Sequence, residues 1–131
     1  MNARRFIMLV MVGCMALVAT ACGGNNAVTY RTADCAKAQL NIKVTATWHD
    51  NGGRTGPEKV SVVVTCNGVP AKDVDVKITF PGGLTAKVTT DANGAGSASQ
   101  NFSTDQVGNT VTAAVNGTDG TQTASAKVVA N

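Results

Sequence analysis

The sequence predicts an all-β protein, an antiparallel β-sandwich of about seven strands that follows an apolar N-terminal segment. Three observations lead to this prediction. Apolar and polar residues alternate with a period of two through most of the chain. Clusters of Gly, Asn, Asp and Pro interrupt the alternation at intervals typical of short strands. No segment after Cys22 has the apolar stripe of period 3.6 that indicates a helix.

The first 21 residues have the three-part layout of a secretory signal peptide. Arg4 and Arg5 give the positive start, an apolar run extends over 6–18, and small residues occupy 19–21. The run has about 13 residues, whereas a stable membrane-spanning helix needs roughly 20. We therefore predict that residues 1–21 are removed, with a retained membrane helix as the alternative.

Cys22 follows these small residues directly and precedes Gly23 in a Gly-Gly-Asn-Asn segment. This arrangement resembles the lipobox of bacterial lipoproteins, in which Leu usually stands where this chain has Ala19. The resemblance implies cleavage before Cys22 and a diacylglyceryl thioether on its sulfur. Two or three acyl chains anchor a protein stably, since one chain binds a bilayer only marginally. Cys14 could form a competing box, but its apolar run would have only about seven residues.

Loss of the signal changes the cysteine count, because Cys14 leaves with it and Cys22 carries the lipid. Cys35 and Cys66 remain, and we predict that they form a disulfide, a bond that persists in exported domains. Closing a loop of about 31 residues stabilises a fold by roughly 3–4 kcal/mol. A metal or redox site is the alternative, but the chain has no Cys-x-x-Cys motif and its single histidine, His49, is not at ligand spacing. We predict neither metal nor cofactor.

The first two strands are predicted at 40–48 and 59–65, separated by an Asp-Asn-Gly-Gly turn segment at 50–53. If they pair antiparallel, Cys66 lies beside the start of the first strand, near Cys35. Alternating segments of the same kind predict the remaining strands at 74–80, 84–89, 97–102, 110–115 and 121–129. Short strands with one apolar face predict two packed sheets around a core of mostly valine and alanine.

From Val60 onward the chain resembles the bacterial immunoglobulin-like (Ig-like) domains of the invasin and intimin type. The segment NGVPAKDVDVKITF at 67–80 is similar to that family's G-x-P stretch followed by V-x-V-x-F. TDANG at 90–94 is similar to its T-D-x-x-G turn, and Gly108 with Val-Thr-Ala at 111–113 to its G-x-y-x-V-x-A strand. The resemblance implies an Ig-like sandwich with a role in rigidity or presentation. In that family the domains usually occur in tandem arrays, whereas this chain carries one copy.

Few residues offer catalytic chemistry. His49 and Asp50 have no nucleophile placed with them, so a solvated loop histidine is predicted. Residues 91–94 resemble part of a calcium loop but lack its closing acidic residue, so a β-turn is predicted. Asp73 and Asp75 are predicted on the solvent face of a strand. Net charge is nearly balanced once Arg4 and Arg5 are removed, which argues against nucleic-acid binding.

Three aromatic residues are candidates for recognition: Tyr30, Trp48 and Phe102, with core filling as the alternative. The last strand, 121–129, could pair with a strand of a partner, or could simply close the sheet.

Together these observations predict an exported, non-enzymatic envelope lipoprotein with a signal at 1–21, a lipid-anchored tether and lead-in at 22–38, and a sandwich at 39–131. The sandwich is expected to bind or brace another envelope protein close to the membrane. Surface display with binding of host or environmental ligands is the alternative, and a small hydrolase or metal-binding protein is less favoured. In a Gram-negative cell, Gly23 after the lipidated cysteine favours the outer membrane.

Overall fold

The computed structural model describes residues 28–131, so the predicted signal and the lipid site Cys22 lie outside the described residues. Eight strands and two single 3-10 turns, at Lys37–Gln39 and Pro81–Gly83, make up the regular structure of this part of the chain. The strands are β1 (Leu40–Trp48), β2 (Gly56–Cys66), β3 (Val69–Pro70), β4 (Asp75–Thr79), β5 (Thr85–Thr89), β6 (Ala95–Phe102), β7 (Thr110–Gly117) and β8 (Gly120–Ala130). All seven predicted strands are present, and β3 is a two-residue addition.

The strands form one curled sheet whose halves pack on a common core. One half contains β6, β2 and β1, with β3 beside the end of β2, and the other contains β5, β4, β7 and β8. The long strand β8 joins the halves, because residues 120–127 pair with β7 and residues 128–130 pair with β1. The all-β fold that the sequence predicts, with two halves packed on a common core, is therefore confirmed.

One pairing departs from the predicted antiparallel arrangement. β1 and β8 run parallel, with Ala46 opposite Val128 and Trp48 opposite Ala130. The last strand therefore closes the sheet through its final residues instead of forming an edge along its whole length. Its earlier residues, 120–127, pair with β7 alone. The sheet is thus mixed, and the first and last strands of the sandwich are direct neighbours.

Small aliphatic side chains fill the core, as the alternating pattern predicts. In β2, every second residue from Val60 to Val64 is buried, and Val63 points to the opposite, exposed face. The most deeply buried aliphatic side chains of the other half are Val76, Ile78, Val111, Ala113, Val115 and Val128. Burial of this apolar surface, at about 25 cal/mol per Å², is the main force that holds the two halves together.

The strand directions give the sandwich two ends. We call them the lead-in pole and the distal pole. The lead-in pole comprises residues 28–39, 67–74, 90–94 and 118–119, and the distal pole comprises residues 49–55, 80–84 and 103–109. The described chain begins at the lead-in pole. Between residues 28 and 131, no helix has the length and apolar character needed to cross a membrane.

Candidate functional site

A disulfide joins the lead-in to the sandwich at the lead-in pole. Cys35 is bonded to Cys66, with their Cα atoms 6.0 Å apart. Cys66 stands opposite Leu40 in the antiparallel β1–β2 pair, so it lies beside the start of β1. This is the position that the sequence predicts, and the bridge is confirmed. It fixes the segment that precedes β1 to the end of β2.

Backbone hydrogen bonds fix the same segment to the other half of the sandwich. The amide of Ala33 donates to the carbonyl of Asn116 at 2.8 Å, and the amide of Thr118 donates to the carbonyl of Cys35 at 2.9 Å. The lead-in and the end of β7 are in close contact here. A Cβ added at Gly117 would lie only 2.8 Å from the Cys35 carbonyl oxygen. A side chain at position 117 would therefore push the lead-in away from β7.

Asp75 provides a third attachment, and its predicted place on the solvent face is wrong. It does lie on the outer face of β4, but the lead-in covers that face and leaves the carboxylate 0% exposed. One carboxylate oxygen accepts from the Arg31 amide at 2.7 Å and the other from the Thr89 hydroxyl at 2.6 Å. Lys87 Nζ is 3.2 Å and Arg31 Nε is 3.6 Å from the first oxygen. Both oxygens are thus occupied by structural contacts.

The charge state of Asp75 follows from these contacts. Burial alone raises the pKa of this carboxyl, but the hydrogen bonds from Thr89, the Arg31 amide and Lys87, together with the positive charge of Lys87, outweigh it. The net effect lowers the pKa of Asp75 from 3.8 to about 2. The carboxylate is therefore ionised over the physiological range and holds the lead-in by charge-assisted hydrogen bonds.

Tyr30 and Lys87 extend this attachment toward the start of the described chain. Lys87 Nζ donates to the carbonyl of Thr29 at 2.7 Å and lies 5.7 Å from the centroid of the Tyr30 ring. A cavity of about 280 Å³ in this region is lined by Tyr30, Asp75, Lys77, Ala114, Asn116 and Thr121. We call residues 29–35 with Asp75, Lys87, Cys66 and Asn116 the lead-in clamp.

The other sequence candidates do not converge on a reactive site. His49 is exposed in the loop after β1, and the Asp50 carboxylate accepts from the amides of Gly52 and Arg54 within that loop. In the turn at 91–94, the Gly94 amide donates to the Asp91 carbonyl at 3.0 Å, so the β-turn prediction is confirmed. The Asp91 carboxylate accepts from the amides of Asn93 and Ala95. Among residues 28–131, the side chains form no group of three or more potential metal ligands.

The three candidate recognition aromatics lie in different places. Tyr30 belongs to the lead-in clamp at one pole. Trp48 is 4% exposed, so for this residue the core-filling alternative is correct. Phe102 is half-buried near the distal pole, and its ring centroid lies 6.2 Å from that of Phe80. These residues therefore do not form one recognition surface.

The structure also contains a buried acidic residue that we did not predict. Glu58 in β2 is 0% exposed, and neither carboxylate oxygen has a hydrogen-bond partner. Glu58 lies on the same inward face of β2 as Val60, Val62 and Val64. The period-two alternation could therefore have identified it as a buried residue. Burial raises the pKa of Glu58 from 4.5 to about 7.

No family model, curated protein or solved structure matches this chain.

Proposed function

We propose that the protein is a lipid-anchored envelope protein whose Ig-like sandwich binds or braces another envelope protein close to the membrane, without catalysis. The observation that carries this proposal is the lead-in clamp, because the segment that follows the lipid tether is fixed rigidly to one pole. About nine residues separate Cys22 from Arg31, and they span at most roughly 30 Å when extended. The lead-in pole would then face the membrane, and the distal pole would face away from it.

The nature of the clamp supports a mechanical or presenting role. A disulfide, three backbone hydrogen bonds and a buried carboxylate all fix the lead-in, although a flexible tether would suffice for anchoring alone. The third of these bonds runs from the Asp75 amide to the Arg31 carbonyl. Attachment at one pole makes that pole the membrane-proximal end and limits how far the distal pole can lie from the membrane. A domain that presents one surface at a set distance from a membrane benefits from such a limit, because less orientational freedom is lost when the partner binds.

The anchor is tested by replacing Cys22 with Ala in the full chain. The wild-type protein should fractionate with membranes and incorporate labelled palmitate, and Cys22→Ala should appear in the soluble exported fraction without label. Cys14→Ala is the matched control, since it changes the competing lipobox and should behave as wild type. Membrane retention of Cys22→Ala would contradict the anchor, and loss of label in Cys14→Ala would move it to that residue.

Partner contact is tested by site-specific photo-crosslinking in living cells. Leu84 and Val107 are exposed apolar residues of the distal pole, and Val69 is exposed near the lead-in pole. A crosslinker at the first two positions should give one discrete adduct with an envelope protein, and a crosslinker at Val69 should not. Absence of any adduct at the distal positions would contradict the proposal that a partner lies beyond this pole.

Orientation distinguishes this function from surface display. If the domain faces an envelope partner, protease added to intact cells should leave it whole, and cleavage in the exposed 49–55 loop should require opening of the envelope. Cleavage on intact cells would instead support the alternative, a displayed protein that binds host or environmental ligands.

A further inference from the structure

Two buried side chains with unpartnered polar atoms lie on neighbouring strands near the distal pole. Glu58 in β2 stands directly opposite Trp48 in β1 and, on its other side, opposite Gln100 in β6. Both carboxylate oxygens of Glu58 and the indole Nε1 of Trp48 are buried and make no hydrogen bond within the described residues. Buried polar groups are nearly always paired, so this cluster marks a place where the fold tolerates an energetic cost.

No charged side chain of the described residues is placed to stabilise an ionised Glu58. The neighbouring inward positions on β1 and β6 are Ala46, Trp48, Ala98, Gln100 and Phe102. The inward positions of the opposite half are apolar, namely Val76, Ile78, Val111, Ala113, Val115 and Val128. The charged residues of the surrounding segments are all exposed: Lys43, His49, Asp50, Arg54, Lys59, Lys77, Asp105 and Lys127. Asn131, whose amide donates to the Trp48 carbonyl, is exposed as well.

A carboxyl group in this setting is stable only when neutral. Moving an isolated carboxylate out of water costs much more than moving the neutral acid, since no donor replaces the lost water. The raised pKa of Glu58, about 7, results from this desolvation. Its charge therefore changes near neutral pH, above the range in which an exposed glutamate titrates.

The strands beside Glu58 have few pairing partners near the distal pole. β6 pairs with β2 alone, and β1 pairs with β8 through only the three positions from Ala46 to Trp48. An ionised Glu58 gains water most directly if the end of β6 separates from β2 beside Gln100. That separation would also let water reach the indole of Trp48.

We propose that Glu58 is a pH-sensitive switch of the distal pole, which stays closed while the carboxyl is protonated and opens to water around Trp48 when it ionises. The switch depends neither on the membrane anchor nor on a partner. It makes the end of the sandwich opposite the lead-in clamp respond to the acidity of its surroundings.

The chain provides its own reporter, because Trp48 is the only tryptophan. In the purified full-length protein, tryptophan emission should shift to the red and become easier to quench with acrylamide as pH rises from 5 to 9, with a midpoint near 7. Glu58→Gln, which mimics the neutral acid, should keep the blue emission throughout. A wild-type protein without this transition, or a transition that persists in Glu58→Gln, would overturn the proposal.

Two control variants test the source of the signal. Histidines generally titrate between pH 5 and 8, and His49 follows Trp48 directly, so His49→Asn must retain the transition. Asp73→Asn, at an exposed carboxylate, must retain it too. If either abolished the transition, the switch would not reside at Glu58.

Unfolding equilibria provide a measurement that does not depend on fluorescence changes of the folded state. The pKa of Glu58 is higher in the folded state than in the unfolded state. Its contribution to the free energy of unfolding is therefore fully present below about pH 4.5 and is lost as the pH rises to about 7. The wild-type unfolding constant should increase about 100-fold or more between pH 4.5 and 8, and that of Glu58→Gln should change far less. Direct NMR titration of the Glu58 carboxyl in the wild type decides the question if the variant does not fold, and a midpoint near 4.5 would refute the switch.

Discussion

Removal of the Cys35–Cys66 bridge is expected to lower the free energy of unfolding by about 3–4 kcal/mol. The bond closes a loop with a sequence separation of 31, and its loss frees the unfolded chain to explore many more conformations. The core is rich in valine and alanine, so a loss of this size is a large part of the 5–15 kcal/mol typical of a domain.

The test is urea unfolding of a Cys35→Ala, Cys66→Ala double variant beside the oxidised wild type. Reduced wild-type protein is the matched control, and it should unfold at nearly the same midpoint as the double variant. The bridge would have no substantial stabilising role if the double variant lost less than about 1 kcal/mol, since that is within the range of ordinary substitutions.

Replacement of Asp75 with Ala is expected to cost about 2–3 kcal/mol. The change leaves the Arg31 amide and the Thr89 hydroxyl without their acceptor, and it removes the ion pair to Lys87. The cost is smaller than for a fully buried pair, because the side chains of Arg31 and Lys87 are 60% and 37% exposed. Denaturant unfolding at pH 7 measures the loss.

Asp73, two residues earlier, is the control for this prediction. Its side chain is 59% exposed, and its carboxylate lies 3.9 Å from Lys72 Nζ. An exposed pair of this kind contributes little, so Asp73→Ala should change stability by less than about 0.5 kcal/mol. Equal losses for Asp73→Ala and Asp75→Ala would show that burial under the lead-in is not what matters.

The lowered pKa of Asp75 also sets a pH window. Its folded value is about 2 and its unfolded value about 3.8, so its stabilising contribution is present above pH 4 and disappears as pH falls toward 2. Asp75→Asn should remove that part of the acid sensitivity. The contribution of Glu58 has the opposite sign and declines as pH rises, so the wild type should be most stable at pH 4–5.

The sequence is most informative where a pattern has a single structural solution. Alternation and turn residues define the strands, since only one face of each strand can meet the core. The hairpin of β1 and β2 then places Cys66 near Cys35. The parallel pairing of β1 with β8 could not be predicted, because alternation describes the faces of a strand and carries no information about its neighbours.

The two buried carboxylates were missed for different reasons. Asp75 has the outward parity that was predicted, but the irregular lead-in over it has no periodicity and left no sign in the sequence. Glu58 has inward parity, but the predicted strand began at Lys59 and left Glu58 outside it. An acidic residue at an inward position of an apolar alternation should therefore be predicted as a buried residue of the strand, and not as the point where the strand begins or ends.

The parallel pairing of the first and last strands determines how the sandwich resists a pulling force. β1 leaves the lead-in pole and β8 ends at the distal pole. A force applied between the lead-in pole and the end of β8 would pull these two strands past each other in opposite directions. The hydrogen bonds between them would then be loaded in shear and would have to break together. The cysteine bridge carries the same load directly to the end of β2, so the clamped sandwich can act as a stiff mechanical link.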